Sequence, residues 1–291
     1  MVNLDVPLRQ TGCINSRVLL TGATGFVGHA IHKALVAEGL PVTCVIRPDS
    51  KNRLYAQYEK VITTDDLFEE STDWWSKICS GIDMVIHSAW YAEPGKYLTS
   101  EKNMACLTGT MALAQGCTKA GIRRFVGIGT CFEYDTSYGY LAPDTRLAPT
   151  TPYAAAKAAT YTMLNEWLPQ MGVSFLWARL FYLYGERENA QRLIPYLHQQ
   201  LGSGEVVNLT SGNQLRDYMD VVNAAQMLVK EALSDCSGAT NICSEIPITI
   251  RKLAENIADQ YGRRDLLRFG ARENNLIDPP VIVGLRRKEK E

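Results

Sequence analysis

The sequence predicts an α/β fold in which a doubly wound parallel sheet is followed by a smaller C-terminal cap. Short apolar runs alternate with longer amphipathic segments through the first two thirds of the 291 residues, which is typical of a parallel sheet covered by helices on both faces. A turn with three glycines, Gly22, Gly25 and Gly28, follows the first apolar run and precedes an amphipathic segment. After Gly185 the alternation lapses, as expected where a chain leaves the sheet.

The individual elements follow from the same patterns. In the first part we expect strands at residues 18–21, 42–46, 60–63, 84–88, 125–129 and 174–180. Helical patterns cover residues 30–38, 67–79, 103–120 and 152–168. Later in the chain we expect a helix near 193–201, a strand at 206–209, a helix near 221–233, a last strand at 240–243 and a last helix at 249–261.

These elements divide the chain into two predicted units. Residues 1–185 and about 221–243 are expected to form a Rossmann domain that binds a dinucleotide, and residues 186–220 and about 244–291 are expected to form the cap. Ligands of such sheets bind outside the carboxyl ends of the strands. We therefore expect the cap to lie over that edge.

Composition and charge exclude several classes of protein. With 46% hydrophobic and 21% charged residues, the chain has the composition of an ordinary globular protein. A net charge of -1 gives no electrostatic reason to expect nucleic acid or an anionic membrane as a partner. No apolar run approaches transmembrane length, residues 1–14 lack the apolar region of a signal peptide, and the eight cysteines contain no CxxC pair. We expect a cytoplasmic protein with reduced thiols and no metal site.

The glycine-rich turn TGATGFVG, residues 21–28, is predicted to bind the pyrophosphate of a dinucleotide. Gly22 allows a sharp turn, Gly25 removes a side chain where the backbone meets phosphate, and Gly28 lets the helix lie close to the sheet. Backbone N–H groups at the helix start would face the phosphates. The alternative is a glycine-rich turn without a ligand. The expected cofactor contacts are Gly22, Thr24, Gly25, Phe26, Val27 and Gly28.

The residues after the second predicted strand indicate which dinucleotide binds. An NAD-binding fold usually places an acidic side chain there for the ribose hydroxyl, whereas the first polar side chain in this sequence is Arg47, at the start of a basic loop. A guanidinium suits a 2′-phosphate by charge and geometry. We therefore expect NADP(H), with NAD(H) as the second choice because Asp49 is also near. Asp66 and Leu67, after the third strand, are candidate adenine contacts.

A tyrosine and a lysine four residues apart, Tyr153 and Lys157, carry the predicted chemistry. Thr151 is a suitable N-cap and Pro152 a suitable first helical residue, so both side chains lie on one helix face, one turn apart. A nearby ammonium lowers the pKa of a phenol from its usual value of about 10, which makes the pair a tunable acid and base. The same spacing also occurs by chance on exposed helices. Thr130 favours the catalytic interpretation, since it directly follows the fifth predicted strand and faces the cleft.

With these motifs in order, the sequence resembles the extended short-chain dehydrogenase/reductase family over about its whole length. The matching stretches are TGATGFVG (21–28), HSAW (87–90), a helix beginning near Asn103, GTCFEYD (129–135), YAAAK (153–157), ARLFYLYG (178–185) and QLRDYMDVVNAA (214–225). The resemblance implies a substrate-binding cap for a sugar nucleotide and a catalytic triad of Thr130, Tyr153 and Lys157, with Asn103 as a fourth member. It also implies a homodimer that pairs the helices carrying Asn103 and Tyr153, and a cofactor contact from Ala89 in the HSAW turn.

The resemblance also suggests the substrate contacts. Arg216 matches the arginine that grips the substrate diphosphate, a role that suits a bidentate guanidinium, and a surface salt bridge with Asp217 is the alternative. Arg192 is a candidate second anchor. Cys131 lies next to Thr130 as a small apolar side chain, and Tyr91 either contacts the sugar or belongs to a surface loop.

Neighbouring residues discriminate among the reactions of this family. Its dehydratases carry Asp-Glu directly after the triad hydroxyl, and here Cys131 and Phe132 occupy those positions, so dehydration is disfavoured. Enzymes that epimerise and then reduce carry a cysteine and a histidine where this sequence has Phe132 and Arg187. Carbonyl reduction and 4-epimerisation remain. Arg47 favours the reductase, since an epimerase usually keeps a bound NAD.

The resulting expectation is an NADP-dependent oxidoreductase, similar to the nucleotide-sugar 4-ketoreductases of the abequose-synthase-like branch. NADPH would reduce the C4 ketone of a nucleotide-diphosphate 4-keto-6-deoxysugar in deoxysugar biosynthesis. Tyr153 would supply the proton, Lys157 would adjust the pKa of the phenol and hold the ribose, and Thr130 would hydrogen-bond the C4 oxygen. The alternatives are a 4-epimerase with tightly bound NAD, a reductase of a non-sugar carbonyl, and a non-catalytic NADP-binding regulator.

Overall fold

The computed structural model describes residues 16–55, 57–274 and 278–287. Cys13 and residues 1–14, to which the thiol and signal-peptide predictions refer, lie outside these ranges. The helices, in chain order, are α1 (Phe26–Ala37), α2 (Thr72–Ile78), α3 (Lys102–Ala120), α4 (Pro152–Gln170), α5 (Leu193–Gly202), α6 (Val221–Leu233) and α7 (Ile250–Tyr261). The strands are β1 (Val18–Thr21), β2 (Val42–Ile46), β3 (Lys60–Thr63), β4 (Met84–His87), β5 (Arg124–Thr130), β6 (Tyr140–Leu141), β7 (Ser174–Leu180), β8 (Tyr182–Tyr184), β9 (Val207–Leu209), β10 (Leu215–Asp220), β11 (Gly238–Ile242), β12 (Pro247–Thr249), β13 (Leu267–Phe269) and β14 (Val281–Gly284).

The larger sheet has seven parallel strands in the order β11-β7-β5-β4-β1-β2-β3. From β1 the chain builds outward to β3, then returns to β4 and builds in the other direction to β11, which is the predicted doubly wound topology. β1, β2 and β4 are buried along their whole length, as strands covered on both faces must be. The strand order reverses between β1 and β4, so the ligand-binding crevice opens at the carboxyl ends of these two strands.

Helices cover both faces of this sheet. On one face, α1 and α6 bury apolar side chains that include Ile31 and Leu228. On the other face, α2, α3 and α4 bury a second core that includes Trp75, Leu113 and Leu164. Because both faces are packed, the carboxyl ends of the strands form a fixed edge on which functional side chains can be held in place.

The elements after β7 form a smaller unit with its own strand pairing. β10 is central to it: β10 pairs with β8, β12 and β14, and β14 pairs with β6. α5 and α7 pack with the short β9–β13 pair around a core that includes Leu197, Val207 and Ala258. Since β6 and β8 precede residue 185 and yet pair in this unit, the proposed domain division at residue 185 stays a prediction.

Most predicted elements lie within two residues of the observed ones. The helix predicted at 67–79 is shorter, because the Ser71 side chain accepts a hydrogen bond from the Trp74 amide and α2 therefore begins at Thr72. α1 begins earlier than predicted, at Phe26, directly after the glycine-rich turn. Six short strands were outside the predicted set, because pairing with distant strands rather than a local pattern defines them: β6, β8, β10, β12, β13 and β14.

Within the described ranges, no helix combines the length and the apolar character needed to cross a membrane. The seven cysteines in the part of the chain that the structure describes are free, and six of them are buried. The sulfur atoms of Cys79 and Cys117 lie 3.8 Å apart, well beyond the disulfide bond length of about 2 Å.

Candidate active site

Tyr153 lies in the first turn of α4, next to the end of β5. Thr151 caps this helix by accepting a hydrogen bond from the Ala154 amide over 3.2 Å. The phenol is hydrogen-bonded to Thr130, the last residue of β5. The ring packs edge-on against Tyr97, with 4.8 Å between the ring centroids. The structure therefore brings together Thr130 and Tyr153, two residues that lie far apart in the sequence.

The protonation state of Tyr153 differs from the one that the sequence suggests. Burial raises the pKa of the phenol well above its usual range, and the hydrogen bond with Thr130 only partly opposes this rise. The expectation of a lowered phenol pKa is therefore wrong, because the cost of burying a phenolate dominates. A phenol with a raised pKa keeps its proton at neutral pH and is suited to donate it.

Lys157 follows one turn later on α4, with 3% of its surface exposed. Its Nζ donates a hydrogen bond to the Ile128 carbonyl over 2.6 Å and lies 3.8 Å from the centroid of the Trp90 ring. Burial lowers the pKa of Lys157 to about 7, against the opposing effect of the Glu133 carboxylate. The ammonium thus sits between a backbone carbonyl and an aromatic face.

Glu133 is a fully buried carboxylate in the 3₁₀ turn that follows Thr130. It accepts hydrogen bonds from the Thr130 amide (2.8 Å), the Trp177 indole (3.0 Å) and the Arg179 guanidinium (2.7 Å). These donors lie on β5 and β7, so Glu133 fixes the strand end that carries Thr130. The sequence contains no signal for the contacts with Trp177 and Arg179, because these two partners lie on another strand, far along the chain.

Asn103 is buried near the start of α3 and anchors the loop between β4 and that helix. Its Nδ2 donates hydrogen bonds to the carbonyls of Tyr97 (2.7 Å) and Ser100 (2.9 Å). Its Oδ1 accepts a hydrogen bond from the Trp90 indole over 2.9 Å. Both ends of the amide are therefore used to position the loop that carries Trp90 and Tyr97. A direct catalytic role of Asn103 stays a prediction.

His87 and Ala89 connect the two sides of the crevice. The His87 ring nitrogens lie 2.9 Å and 3.0 Å from the hydroxyls of Thr21 and Thr110. Burial lowers the pKa of His87 to about 3, so this side chain is neutral and structural at physiological pH. The Ala89 amide donates to the Thr21 hydroxyl over 3.2 Å. A cofactor contact from Ala89 stays a prediction.

The geometry of the glycine-rich turn fits a bound pyrophosphate. Gly22 has a φ of +76°, and a Cβ at this position would lie 2.7 Å from the Ala89 nitrogen. A Cβ on Gly28 would lie 2.0 Å from the Gly22 carbonyl oxygen, so α1 starts in close contact with the turn. A Cβ on Gly25 would meet the protein only at an ordinary 3.4 Å. The space beside Gly25 is therefore open to a phosphate group.

The other predicted cofactor contacts in this turn are Phe26, Thr24 and Val27. Phe26 packs against the core between α1 and α6 and lines a groove of about 790 Å³ between those helices. No residue of the predicted catalytic set lines this groove, so it is distinct from the catalytic cleft. A contact of Phe26 with the cofactor stays a prediction. Contacts from Thr24 and Val27 stay predictions.

Arg47 lies where the sequence places it, directly after β2. It is the N-cap of the 3₁₀ helix Pro48–Arg53, and its side chain is exposed. The neighbouring Asp49 accepts a hydrogen bond from the Ser50 hydroxyl over 3.2 Å, and a carboxylate can accept further hydrogen bonds. The exposed Arg47 guanidinium is suited to an anionic group.

Four further predicted contacts have clear local roles. Asp66 accepts a hydrogen bond from the backbone amide two residues on, and Leu67 packs against the second core. The Tyr91 hydroxyl donates to the Glu93 carboxylate over 2.7 Å. Cys131 is buried, and burial raises the pKa of its thiol to about 12. Roles of Asp66 and Leu67 at adenine, and of Tyr91 and Cys131 at the substrate, stay predictions.

Arg216 is buried on β10 with 2% of its surface exposed. Its Nη2 lies 2.7 Å from the Asp278 carboxylate, and its guanidinium carbon lies 5.4 Å from the Tyr182 ring centroid. The alternative of a salt bridge with Asp217 is wrong, because adjacent residues of a strand point to opposite faces. Asp217 instead accepts hydrogen bonds from three backbone amides and a serine hydroxyl.

Arg192 and Glu188 connect the smaller unit to the catalytic residues. Arg192 is the N-cap residue of α5, and its guanidinium carbon lies 6.0 Å from the ring centroid of Tyr97, which contacts Tyr153. Burial raises the pKa of the Glu188 carboxyl to about 7 against the opposing charge of Arg192. A cationic side chain of the smaller unit therefore lies near Tyr97, whose ring packs against Tyr153.

Comparisons with known proteins agree with this architecture. The model of the NAD dependent epimerase/dehydratase family matches residues 18–243. A CDP-abequose synthase from Salmonella muenchen is 23% identical over 266 residues, covering 89% of this chain and 85% of that protein. A dTDP-6-deoxy-L-talose 4-dehydrogenase (NAD(+)) from Aggregatibacter actinomycetemcomitans is 22% identical, covering 84% of this chain and 90% of that protein.

Solved structures show the same fold. A UDP-N-acetylglucosamine 4-epimerase from Methanobrevibacter ruminantium M1, in complex with UDP-N-acetylmuramic acid, has a TM-score of 0.82 at 23% identity, covering 94% of this chain and 90% of that chain. The family match begins at β1 and includes the glycine-rich turn, Thr130, Tyr153 and Lys157. The chain therefore belongs to the NAD dependent epimerase/dehydratase family, the extended short-chain dehydrogenases/reductases, whose members modify nucleotide sugars with a nicotinamide cofactor.

Proposed function

We propose that this enzyme uses NADPH to reduce the C4 ketone of a nucleotide-diphosphate 4-keto-6-deoxysugar. One observation carries the proposal: the protonated Tyr153 phenol meets Thr130 at a strand end whose next residues, Cys131 and Phe132, are not acidic. Reduction needs one proton donor at the forming alkoxide, whereas elimination of water needs a further acid and base. With its raised pKa, the Cys131 thiol supplies neither at neutral pH.

Each catalytic residue has a distinct task in this reaction. The reduced nicotinamide, when bound, supplies the hydride. Tyr153 gives its phenolic proton to the C4 oxygen as negative charge develops there. Thr130, already hydrogen-bonded to the phenol, orients the same oxygen. The Lys157 ammonium, one turn away, stabilises the phenolate that remains and holds the ribose hydroxyls of the cofactor.

Arg47 supports NADPH over NADH as the cofactor. Its exposed guanidinium stands after β2, where a 2′-phosphate would lie. We expect Arg47→Ala to lower kcat/KM with NADPH by about tenfold or more and to leave kcat/KM with NADH unchanged. Steady-state kinetics with both cofactors measure this. A wild-type preference for NADH, or equal losses with both cofactors, would contradict the assignment.

The substrate side of the proposal rests on Arg216 and Arg192. A diphosphate would take the place of Asp278 at the buried Arg216 guanidinium, a group suited to anionic oxygens. Arg192, next to Tyr97, would be the second anchor. Anchoring the distant diphosphate sets which face of the carbonyl meets the hydride. The names of two relatives, a CDP-abequose synthase and a dTDP-6-deoxy-L-talose 4-dehydrogenase, support a nucleotide-linked deoxysugar.

The test is NADPH oxidation with a panel of enzymatically made 4-keto-6-deoxy sugar nucleotides that vary in the base and the sugar. We expect turnover with at least one member, and a loss of about 10²–10⁴ in kcat for Tyr153→Phe. Tyr138→Phe, at an exposed tyrosine outside the proposed catalytic set, is the matched control and should keep wild-type activity. The proposal fails if no panel member oxidises NADPH, or if Tyr153→Phe retains full activity.

A 4-epimerase with tightly bound NAD is the second candidate. The structural similarity to an epimerase and the family description favour it, although the likeness at 23% identity establishes the fold alone. The two functions differ in what the purified protein contains. An epimerase would carry NAD through purification and interconvert 4-epimers without added reductant. The proposed reductase would consume one NADPH for each product alcohol.

We also propose that the enzyme is a homodimer that pairs α3 and α4 of two subunits. These two helices lie side by side, and on their outer faces Met104 is 64% exposed and Met163 is 53% exposed. Large apolar side chains at such exposure, on adjacent helices, are suited to a helix-bundle interface. The same two helices carry Asn103 and Tyr153, so the interface would support the active site.

A further inference from the structure

The indole of Trp90 covers the buried ammonium of Lys157. The Lys157 Nζ lies 3.8 Å from the Trp90 ring centroid, well within the range of a strong cation–π contact. A second indole, Trp177, has its ring centroid 5.7 Å from the same nitrogen. The Trp90 ring also lies 6.5 Å from the Tyr153 ring, at 80°. Trp90 thus contacts both members of the proposed acid and base pair.

The orientation of Trp90 is fixed at its polar end. Its Nε1 donates to the Asn103 Oδ1 over 2.9 Å, and the Asn103 amide is itself held by two loop carbonyls. On the other side, Phe68 meets the Trp90 ring edge-on, with centroids 6.4 Å apart. An indole held at both ends presents its face to Lys157 without further loss of side-chain entropy. The Asn103 side chain therefore acts on Lys157 through Trp90.

The charged and polar groups around Lys157 stabilise its ammonium only in part. Burial opposes the charged form, while the Glu133 carboxylate and the Cys106 thiol favour it. Glu133 is shared with Arg179 as an ion pair, and His87, on β4, stays neutral. Within the part of the chain that the structure describes, the ammonium donates a hydrogen bond to one carbonyl, that of Ile128. The negative face of an indole is an additional source of stabilisation for a cation with few partners.

We propose that Trp90 is a positioning residue whose indole face holds Lys157 as a charged ammonium next to Tyr153. This inference rests on the proposed function for its catalytic meaning, since a charged lysine is what stabilises the phenolate after proton transfer. The effect of the Trp90 ring on the protonation of Lys157 does not depend on the substrate. Removing the ring lowers the pH at which Lys157 loses its proton, because the protonated form loses a stabilising partner.

A lysine titration in the full-length protein tests whether Trp90 stabilises the protonated form of Lys157. Protein labelled with [ε-¹³C]lysine is titrated by NMR, and the Lys157 resonance is assigned by its disappearance in Lys157→Met. We expect Trp90→Leu to lower the titration midpoint by roughly one pH unit, and Trp90→Phe, with a weaker aromatic face, to lower it by less. Both variants lose the hydrogen bond to Asn103, so a difference between them reports on the ring alone.

Each other outcome overturns the inference. Equal midpoints in the wild type and Trp90→Leu would show that the ring does not stabilise the ammonium, and Trp90→Met replaces Trp90→Leu if that variant does not fold. A raised midpoint would show that the indole acts by excluding water. Equal shifts in both variants would assign the effect to the hydrogen bond with Asn103.

Activity measurements separate this inference from the proposed function. With a turned-over substrate, the loss of kcat at high pH should move to lower pH in Trp90→Leu by the same interval as the NMR midpoint. If no sugar nucleotide is reduced and the NMR midpoint still shifts, the proposed function fails and the contact stands. If reduction occurs and the NMR midpoint is unchanged, the contact has no such role and the function stands.

Discussion

At the scale of single residues, Lys157 is a cation placed where burial works against its charge. Its pKa falls from an ordinary value of 10.5 to about 7 on folding. Between these two values the unfolded chain binds more protons than the folded one, so stability rises with pH across this window. Lys157→Met removes this term. We expect the wild type to gain about 2 kcal/mol of unfolding free energy between pH 7 and pH 9 relative to Lys157→Met.

Urea unfolding of both proteins at several pH values measures this difference. Lys119→Met is the matched control: Lys119 is an exposed lysine whose ammonium pairs with Asp73 at the surface. It should leave the pH dependence of stability as in the wild type. Parallel stability curves for the wild type and Lys157→Met would show that the Lys157 ammonium is not destabilised by folding. Lys157→Met should also lose reductase activity.

Glu133 is a buried anion, and we expect its removal to destabilise the folded protein. Its carboxylate is fully buried and pairs with Arg179, which is itself 1% exposed. We expect Glu133→Gln to cost about 3 kcal/mol, because an isosteric amide leaves a buried guanidinium without its counter-charge. Chemical denaturation measures the cost. Glu93→Gln, which breaks an exposed pair with Lys96, should change stability little.

The residues that the sequence predicts are those whose chemistry shows in a local pattern. Tyr153, Lys157 and Thr130 follow from a helix spacing and a strand end. Glu133 and Trp90 do not, because their roles depend on partners from other elements: Arg179 on β7 for one, Lys157 on α4 for the other. The raised phenol pKa of Tyr153 was missed for the same reason, since burial is a property of the packed fold.

At the scale of the elements, the glycine-rich turn separates packing from ligand binding. A Cβ on Gly28 would lie 2.0 Å from a backbone carbonyl, whereas a Cβ on Gly25 would make an ordinary contact at 3.4 Å. We expect Gly28→Ala to lower stability by about 1–3 kcal/mol or more, because α1 must shift. Gly25→Ala should keep wild-type stability and weaken cofactor binding at least tenfold, since its methyl group occupies the place of the pyrophosphate.

Thermal unfolding and NADPH titration by fluorescence distinguish the two variants. The contrast itself is the test, because each variant adds one methyl group three residues from the other in the same turn. If Gly25→Ala bound NADPH as tightly as the wild type, the open side of Gly25 would not face the phosphates. If both variants were equally unstable, the close contact at Gly28 would have no special role.

The strands of the larger sheet were predictable because each is a short apolar run bounded by turns. β1, β2, β3 and β7 have the predicted bounds. In the smaller unit β9 was predicted, whereas β6, β8, β12, β13 and β14 have two to four residues each and too few for a periodicity of their own. β6 and β14 pair although about half of the chain separates them in the sequence.

At the scale of the whole molecule, the reversal of strand order between β1 and β4 determines where the ligand-binding crevice opens. It places the glycine-rich turn at one side of the crevice and, two strands away on β5, Thr130 at the other. The smaller unit then brings Arg192 towards Tyr97 and the catalytic tyrosine. A cofactor and a sugar nucleotide can therefore meet at one edge of the sheet.

The proposed dimer gives the last prediction at this scale. In a two-fold symmetric interface one substitution acts twice, and a lysine buried among apolar side chains loses its hydration. We expect Met104→Lys combined with Met163→Lys to raise the dimer dissociation constant about 10²-fold or more. Val222→Lys, on α6 at the opposite face of the sheet and 44% exposed, is the matched control and should leave the dimer intact.

Sedimentation velocity over a range of protein concentrations measures the three proteins. Because α3 and α4 carry Asn103 and Tyr153, dissociation should also reduce activity at low protein concentration, where the wild type still pairs. A wild-type protein that sediments as a monomer at micromolar concentration would rule out the dimer. A dimer that dissociates only in Val222→Lys would move the interface to the face formed by α1 and α6, where Val222 lines the groove next to Phe26.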